Sequence, residues 1–107
     1  ASDVYKRQVL GRFGSEKLIE RFALKFLEDD SYSNLKEALA EKNAENAFRA
    51  AHTLKGVCLN LGLKNLYTVS SDLTEKLRGR SLDGAGELFE KVREQYDITV
   101  NALKNVG

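Results

Sequence analysis

A chain of 107 residues with 17 basic and 16 acidic side chains, a net charge of +1 and neither proline nor tryptophan is expected to form one domain, residues 1–107, around a single modest core. Abundant Ala, Leu, Glu and Lys beside few β-branched residues predict an all-α fold. The near balance of charge gives no electrostatic case for nucleic acid or an anionic membrane, which leaves proteins as the expected partners.

In chain order, the spacing predicts a short helix near Val4 to Leu10 that ends at Gly11, then a helix capped by Ser15 with Ile19, Phe22, Ala23, Phe26 and Leu27 on one apolar face. The polar stretch Glu28-Asp29-Asp30-Ser31 predicts a kink or junction, after which the helical pattern resumes through Leu35, Ala38 and Leu39. Asn43 is a candidate cap for a helix from about Ala44 to Leu61, and Gly62 suits the left-handed residue that ends it, with Leu63 folding back on the last turn. A further helix over about Lys64 to Leu77 buries Leu66, Val69, Ser70, Leu73 and Leu77 by spacing and leaves Tyr67, Ser71, Thr74 and Arg78 along an edge. The stretch Gly79-Arg80-Ser81-Leu82-Asp83-Gly84 reads as a loop, and the last helix, about Ala85 to Val106, offers Leu88, Phe89, Val92, Tyr96, Val100 and Leu103 to the core. Together these patterns predict an antiparallel up-down four-helix bundle with a short additional N-terminal helix. Its core is expected over about residues 13–105.

The lone histidine, His52, lies in the run Ala50-Ala51-His52-Thr53-Leu54-Lys55-Gly56. At about 100° per residue, the stripe of Ala47, Ala51, Leu54, Cys58 and Leu61 is centred roughly 130° away from it, so the imidazole is expected to face solvent. Lys55 and Gly56 fall one turn on, to either flank. A mid-helix glycine costs on the order of 1 kcal/mol relative to alanine. On an outward face, close packing within the molecule does not explain it, and it leaves open space beside the histidine. Phe48 and Leu59 project nearer to His52 than to the core stripe and suggest a docking patch.

Around His52 the sequence resembles the histidine-containing phosphotransfer (HPt) domains of multistep two-component signalling. The motif His-x-x-Lys-Gly reads His52-Thr53-Leu54-Lys55-Gly56, preceded by Arg49-Ala50-Ala51 and followed by Asn60-Leu61-Gly62-Leu63 and Leu66. The resemblance extends over roughly Phe13 to Leu103. It implies that His52 is the phosphoacceptor, that Lys55 stabilises phosphoryl charge and that Gly56 gives steric access, with Phe48, Arg49, Leu59 and Leu63 as docking residues. The implied partners are response-regulator receiver domains, which carry the aspartyl phosphate and hold Mg²⁺, and a hybrid sensor histidine kinase. The chain itself would bind no cofactor or metal, have no kinase activity and act as a monomer.

The residues are compatible with that chemistry. A neutral imidazole, the prevalent form of an unperturbed histidine at pH 7, has the lone pair that phosphoryl transfer needs. A lysine one turn away can meet the phosphoryl oxygens. No Gly-rich nucleotide loop is present, since Gly84-Ala85-Gly86 runs into Glu87. The acidic Glu28-Asp29-Asp30 reads as a solvated turn rather than an acid–base pair. One histidine and one cysteine about 120° apart on one helix cannot supply a metal site or a catalytic triad. The remaining alternative is a non-catalytic helical adaptor that binds its partner through the same face. No apolar run approaches the roughly 18 residues of a membrane span, and the start Ser2-Asp3-Val4-Tyr5-Lys6-Arg7 is too polar for a signal peptide. A cytoplasmic location, with the single Cys58 kept reduced in the core, is therefore expected.

Overall fold

A computed structural model describes residues 16–104, with side chains from residue 20 on. Five helices occupy most of that span: α1 (Glu16–Glu28), α2 (Ser31–Ala40), α3 (Ala44–Leu61), α4 (Lys64–Leu77) and α5 (Ala85–Lys104). The short helix expected near Val4 to Leu10, the Ser15 cap, the Ile19 side chain and the last residues of the C-terminal helix lie outside the described residues.

The junction expected around Asp29 is a true break. Asp29 Oδ1 accepts the Ser31 backbone N–H at 2.8 Å and restarts the chain as α2. From there each helix packs against the next in sequence, α2 on α3, α3 on α4 and α4 on α5, while α1 leans on α5. Aromatic rings close the bundle between α2 and α5. Tyr32 of α2 stacks on Tyr96 of α5 at 3.8 Å between centroids, with Phe89 at 5.7 Å from Tyr32 and Phe26 of α1 at 5.7 Å from Tyr96.

The α3 helix has the signals expected at both ends. The Asn43 side chain accepts the Asn46 backbone N–H at 3.0 Å. Gly62 is left-handed, with φ 72°, and the N–H groups of Gly62 and Leu63 donate to the carbonyls of Leu59 and Cys58, at 3.3 and 2.9 Å, in a Schellman arrangement. That reversal folds Leu63 over the final turn, where it is buried. Leu63 is therefore core, which corrects its assignment as a docking residue. Along α3, Ala47, Ala50, Ala51, Leu54, Cys58 and Leu61 are all buried. The small alanines let the neighbouring helices approach closely while the other side of α3 stays open.

Thr74 also departs from the sequence expectation. Because α4 is covered by α3 on one side and α5 on the other, its buried arc is wider than one apolar stripe, and Thr74 is fully buried rather than on an edge. Its hydroxyl is satisfied within the helix, donating to the Ser70 carbonyl at 2.7 Å. Thr99 of α5 repeats the arrangement, donating to the Gln95 carbonyl at 2.7 Å.

Burial, with a smaller contribution from the Asp29 charge, pushes the Cys58 thiol up from 9.0 to about 12. Burial likewise raises the Tyr32 and Tyr96 phenols, helped by acidic neighbours that include Asp97. An acid whose folded pKa is raised contributes stability that is fully present below its unfolded value and is lost as pH rises towards the folded one. The chain is therefore expected to weaken above about pH 9. Urea midpoints at about pH 8 and pH 10.5 should fall in the wild type and fall by less in Cys58→Ala, whose absolute stability is lower. Equal falls would remove the thiol from the account.

Candidate functional site

His52 sits on the outward side of α3 and is exposed, as the helical spacing requires. The opposite side of the same turn, Ala51 and Leu54, is fully buried, so the backbone beneath the imidazole is anchored. One turn on, Gly56 faces open space: a Cβ built there meets nothing within 4 Å. Lys55 is half-buried beside it, which suits a side chain whose stem lies on the protein while its ammonium stays in water. Thr53 is exposed and its hydroxyl donates back to the Arg49 carbonyl at 2.9 Å.

One turn before His52, the Phe48 ring packs against the imidazole, with centroids 6.0 Å apart and planes tilted by 53°. Phe48 is half-buried rather than open. Its face is covered by two guanidinium groups, Arg80 at 4.0 Å and Arg78 at 5.4 Å from the ring centroid. Leu59 is 59% exposed, which leaves it the one large, freely exposed hydrophobe on this helix. Arg49 is exposed too, and pairs with Glu45 at 3.1 Å.

Four charged neighbours border the site, Glu75, Arg78, Glu45 and Arg80, and of their pairings only that of Arg80 with Glu45 has no signal in the local sequence pattern. Glu75 of α4 receives a two-pronged contact from Arg78, at 3.1 and 2.7 Å. That hydrogen bonding comes first in holding its carboxyl below the usual range, ahead of the charges of Arg78 and Lys55. Arg78 thereby pairs the carboxylate that stands near Lys55 and His52. Glu45, in the first turn of α3, is held low by its hydrogen bond from Arg80 foremost, with the charges of Arg80 and Arg49 adding. Arg80 belongs to the loop between α4 and α5, and only the folded chain brings it 35 residues back to Glu45.

The site is a surface rather than a pocket. A polar groove of about 440 Å³ between α2 and α3, bordered by Asn34, Glu37, Asn46, Arg49 and Thr53, lies beside it, and His52 is not among the groove's lining residues. Among the described residues, no group of three or more His, Cys, Asp or Glu side chains is placed to hold a metal ion. No described helix is long and apolar enough to cross a membrane.

An exposed imidazole on an anchored helix, with a lysine three residues on and clear space at the fourth, is an arrangement in which another protein can close over the ring. The family model of the Hpt domain matches residues 27–105, and the chain belongs to that family, the phosphotransfer modules of two-component phosphorelays. Comparison with curated proteins and with solved structures finds no match.

Proposed function

We propose that this chain is a phosphorelay intermediate in which His52 accepts a phosphoryl group from the aspartyl phosphate of one receiver domain and passes it to another. The observation that carries the reading is the exposed His52 ring standing beside the open space at Gly56, on a helix whose other face is locked in the core. In the loading step the lone pair of the neutral imidazole forms an N–P bond as the P–O bond to the receiver aspartate breaks. The aspartate leaves as a carboxylate, and the second ring nitrogen keeps its proton. Unloading is the reverse reaction on a different receiver. Positioning and charge stabilisation are the main tasks in such a transfer. Mg²⁺ carried by the receiver takes one share of the charge, and Lys55 takes another from this side.

In this reading Leu59 and Arg49 form the receiver-facing surface, with the half-covered Phe48 at its edge, and a hybrid sensor histidine kinase stands upstream. The chain acts as a monomer and has no kinase activity of its own. Lys55→Gln is expected to load about tenfold more slowly from the same phosphorylated receiver, with an unchanged unfolding midpoint, because it removes charge stabilisation without touching the core. A loading rate equal to wild type would assign Lys55 to surface solvation.

The relay itself is tested by mixing the chain with a radiolabelled, phosphorylated receiver and Mg²⁺, re-isolating it, and adding a second, unlabelled receiver. Label should move onto the chain and then off it. Stable binding without label would favour the helical adaptor.

A further inference from the structure

Arg80 has a backbone φ of 61°, in the left-handed region that disfavours a side chain, although a glycine stands immediately before it at position 79. Such a conformation persists only where surrounding contacts hold it. Here the guanidinium is held from three directions. It pairs with Glu45 of α3, it donates to the Arg78 carbonyl within its own loop, and it covers the face of Phe48 at 4.0 Å from the centroid. Glu45, Phe48 and His52 follow one another at three- and four-residue spacing along the same side of α3. The contacts therefore run without a gap from a loop residue to the phosphoacceptor: Glu45 to Arg80, Arg80 to Phe48, and Phe48 to the imidazole at 6.0 Å.

We propose that Arg80 is a positioning residue for phosphoryl transfer, fixing the Phe48 ring and, through it, the orientation in which the His52 imidazole meets the receiver. The proposal rests on the reading of His52 as phosphoacceptor. An exposed histidine on a helix otherwise samples several rotamers, and in-line transfer uses only those that aim the nucleophilic nitrogen at phosphorus. A tilted ring one turn away, itself clamped by a planar cation, restricts that choice without covering the imidazole. Glu45 holds the clamp as a carboxylate, and the hydrogen bond from Arg80 foremost keeps its carboxyl below the usual range.

The test uses Arg80→Gly, Phe48→Leu and the double variant in the full chain. Glycine accepts the left-handed backbone, so Arg80→Gly removes the side chain and keeps the turn. Its Tm should lie within about 2 °C of wild type. Phe48→Leu keeps apolar bulk without a flat face. Two quantities are read: the initial rate of loading from a phosphorylated receiver, and the NMR positions of the imidazole ring protons, which are unambiguous because the chain has one histidine. Arg80→Gly should load about fivefold more slowly and move the imidazole resonances through the altered ring current of Phe48. The double variant should be no slower than Phe48→Leu alone, since Arg80 acts through that ring. Multiplying effects in the double variant would overturn the proposal, because Arg80 would then act on the phosphoryl group or the receiver directly. A wild type that loads beside an Arg80→Gly chain with the same rate and resonances defeats this proposal alone. A wild type that never loads defeats the phosphoacceptor reading and this proposal with it.

Discussion

Replacing His52 with glutamine is expected to reduce loading from a phosphorylated receiver to background while leaving the urea midpoint where it was. The two halves of that expectation have separate physical grounds. No other side chain in the sequence offers an imidazole nitrogen, so the variant has no alternative phosphoacceptor of the same chemistry. His52 is exposed and its contact with Phe48 is at the surface, so its loss belongs with surface substitutions, which change stability by less than about 0.5 kcal/mol. Retained label in His52→Gln would place the phosphoryl group on another residue. A large loss of stability would mean that the ring holds the fold together, and the assignment would fall on that count.

Gly56→Gln is expected to move stability and transfer in opposite directions. A Cβ at Gly56 meets nothing within 4 Å, so the variant strains no internal contact, and replacing a mid-helix glycine should stabilise the chain by about 0.5 kcal/mol. In the proposed relay the same side chain occupies the space into which the receiver closes. Displacing the reacting atoms by about 1 Å is enough to slow transfer about a hundredfold. Receiver titrations under single-turnover conditions would separate weaker docking from slower chemistry. Faster unfolding with unchanged transfer would reverse the account of this glycine.

Much of this was legible in the residues because it depends on periodicity and on local chain chemistry. The Ala47, Ala51, Leu54, Cys58 and Leu61 stripe fixes which side of α3 is inward, and that alone puts His52 outward. Asn43 and Gly62 mark the helix ends through bonds made within a few residues. Legibility fails where the answer depends on what a residue meets across the bundle. Thr74 looks like an edge residue on a single helix, and is buried because α4 has neighbours on both sides. In sequence, Leu63 suits both a fold-back on the last turn and a docking surface; the Gly62 reversal buries it, so only the first holds. Lys42, at φ 57°, turns the chain between α2 and α3 in a left-handed conformation that no glycine announces. Its N–H donates to Leu39, and the Asn43 N–H donates to Ala38. Glu45, Arg80 and Phe48 come together only because a loop after α4 returns to the start of α3, and pairings at that separation leave no trace in spacing. Phe48, expected as open docking surface, is consequently half-covered by arginine.

The most direct test is to locate the phosphoryl group. The chain is loaded from a phosphorylated receiver, the product is divided between acid and alkali, and the surviving label is mapped by peptide mass spectrometry. One acid-labile, base-stable phosphoryl group is expected, carried by the peptide containing His52 and absent from His52→Gln. Acid-stable phosphate on a serine or threonine, or label that persists in His52→Gln, would contradict that assignment.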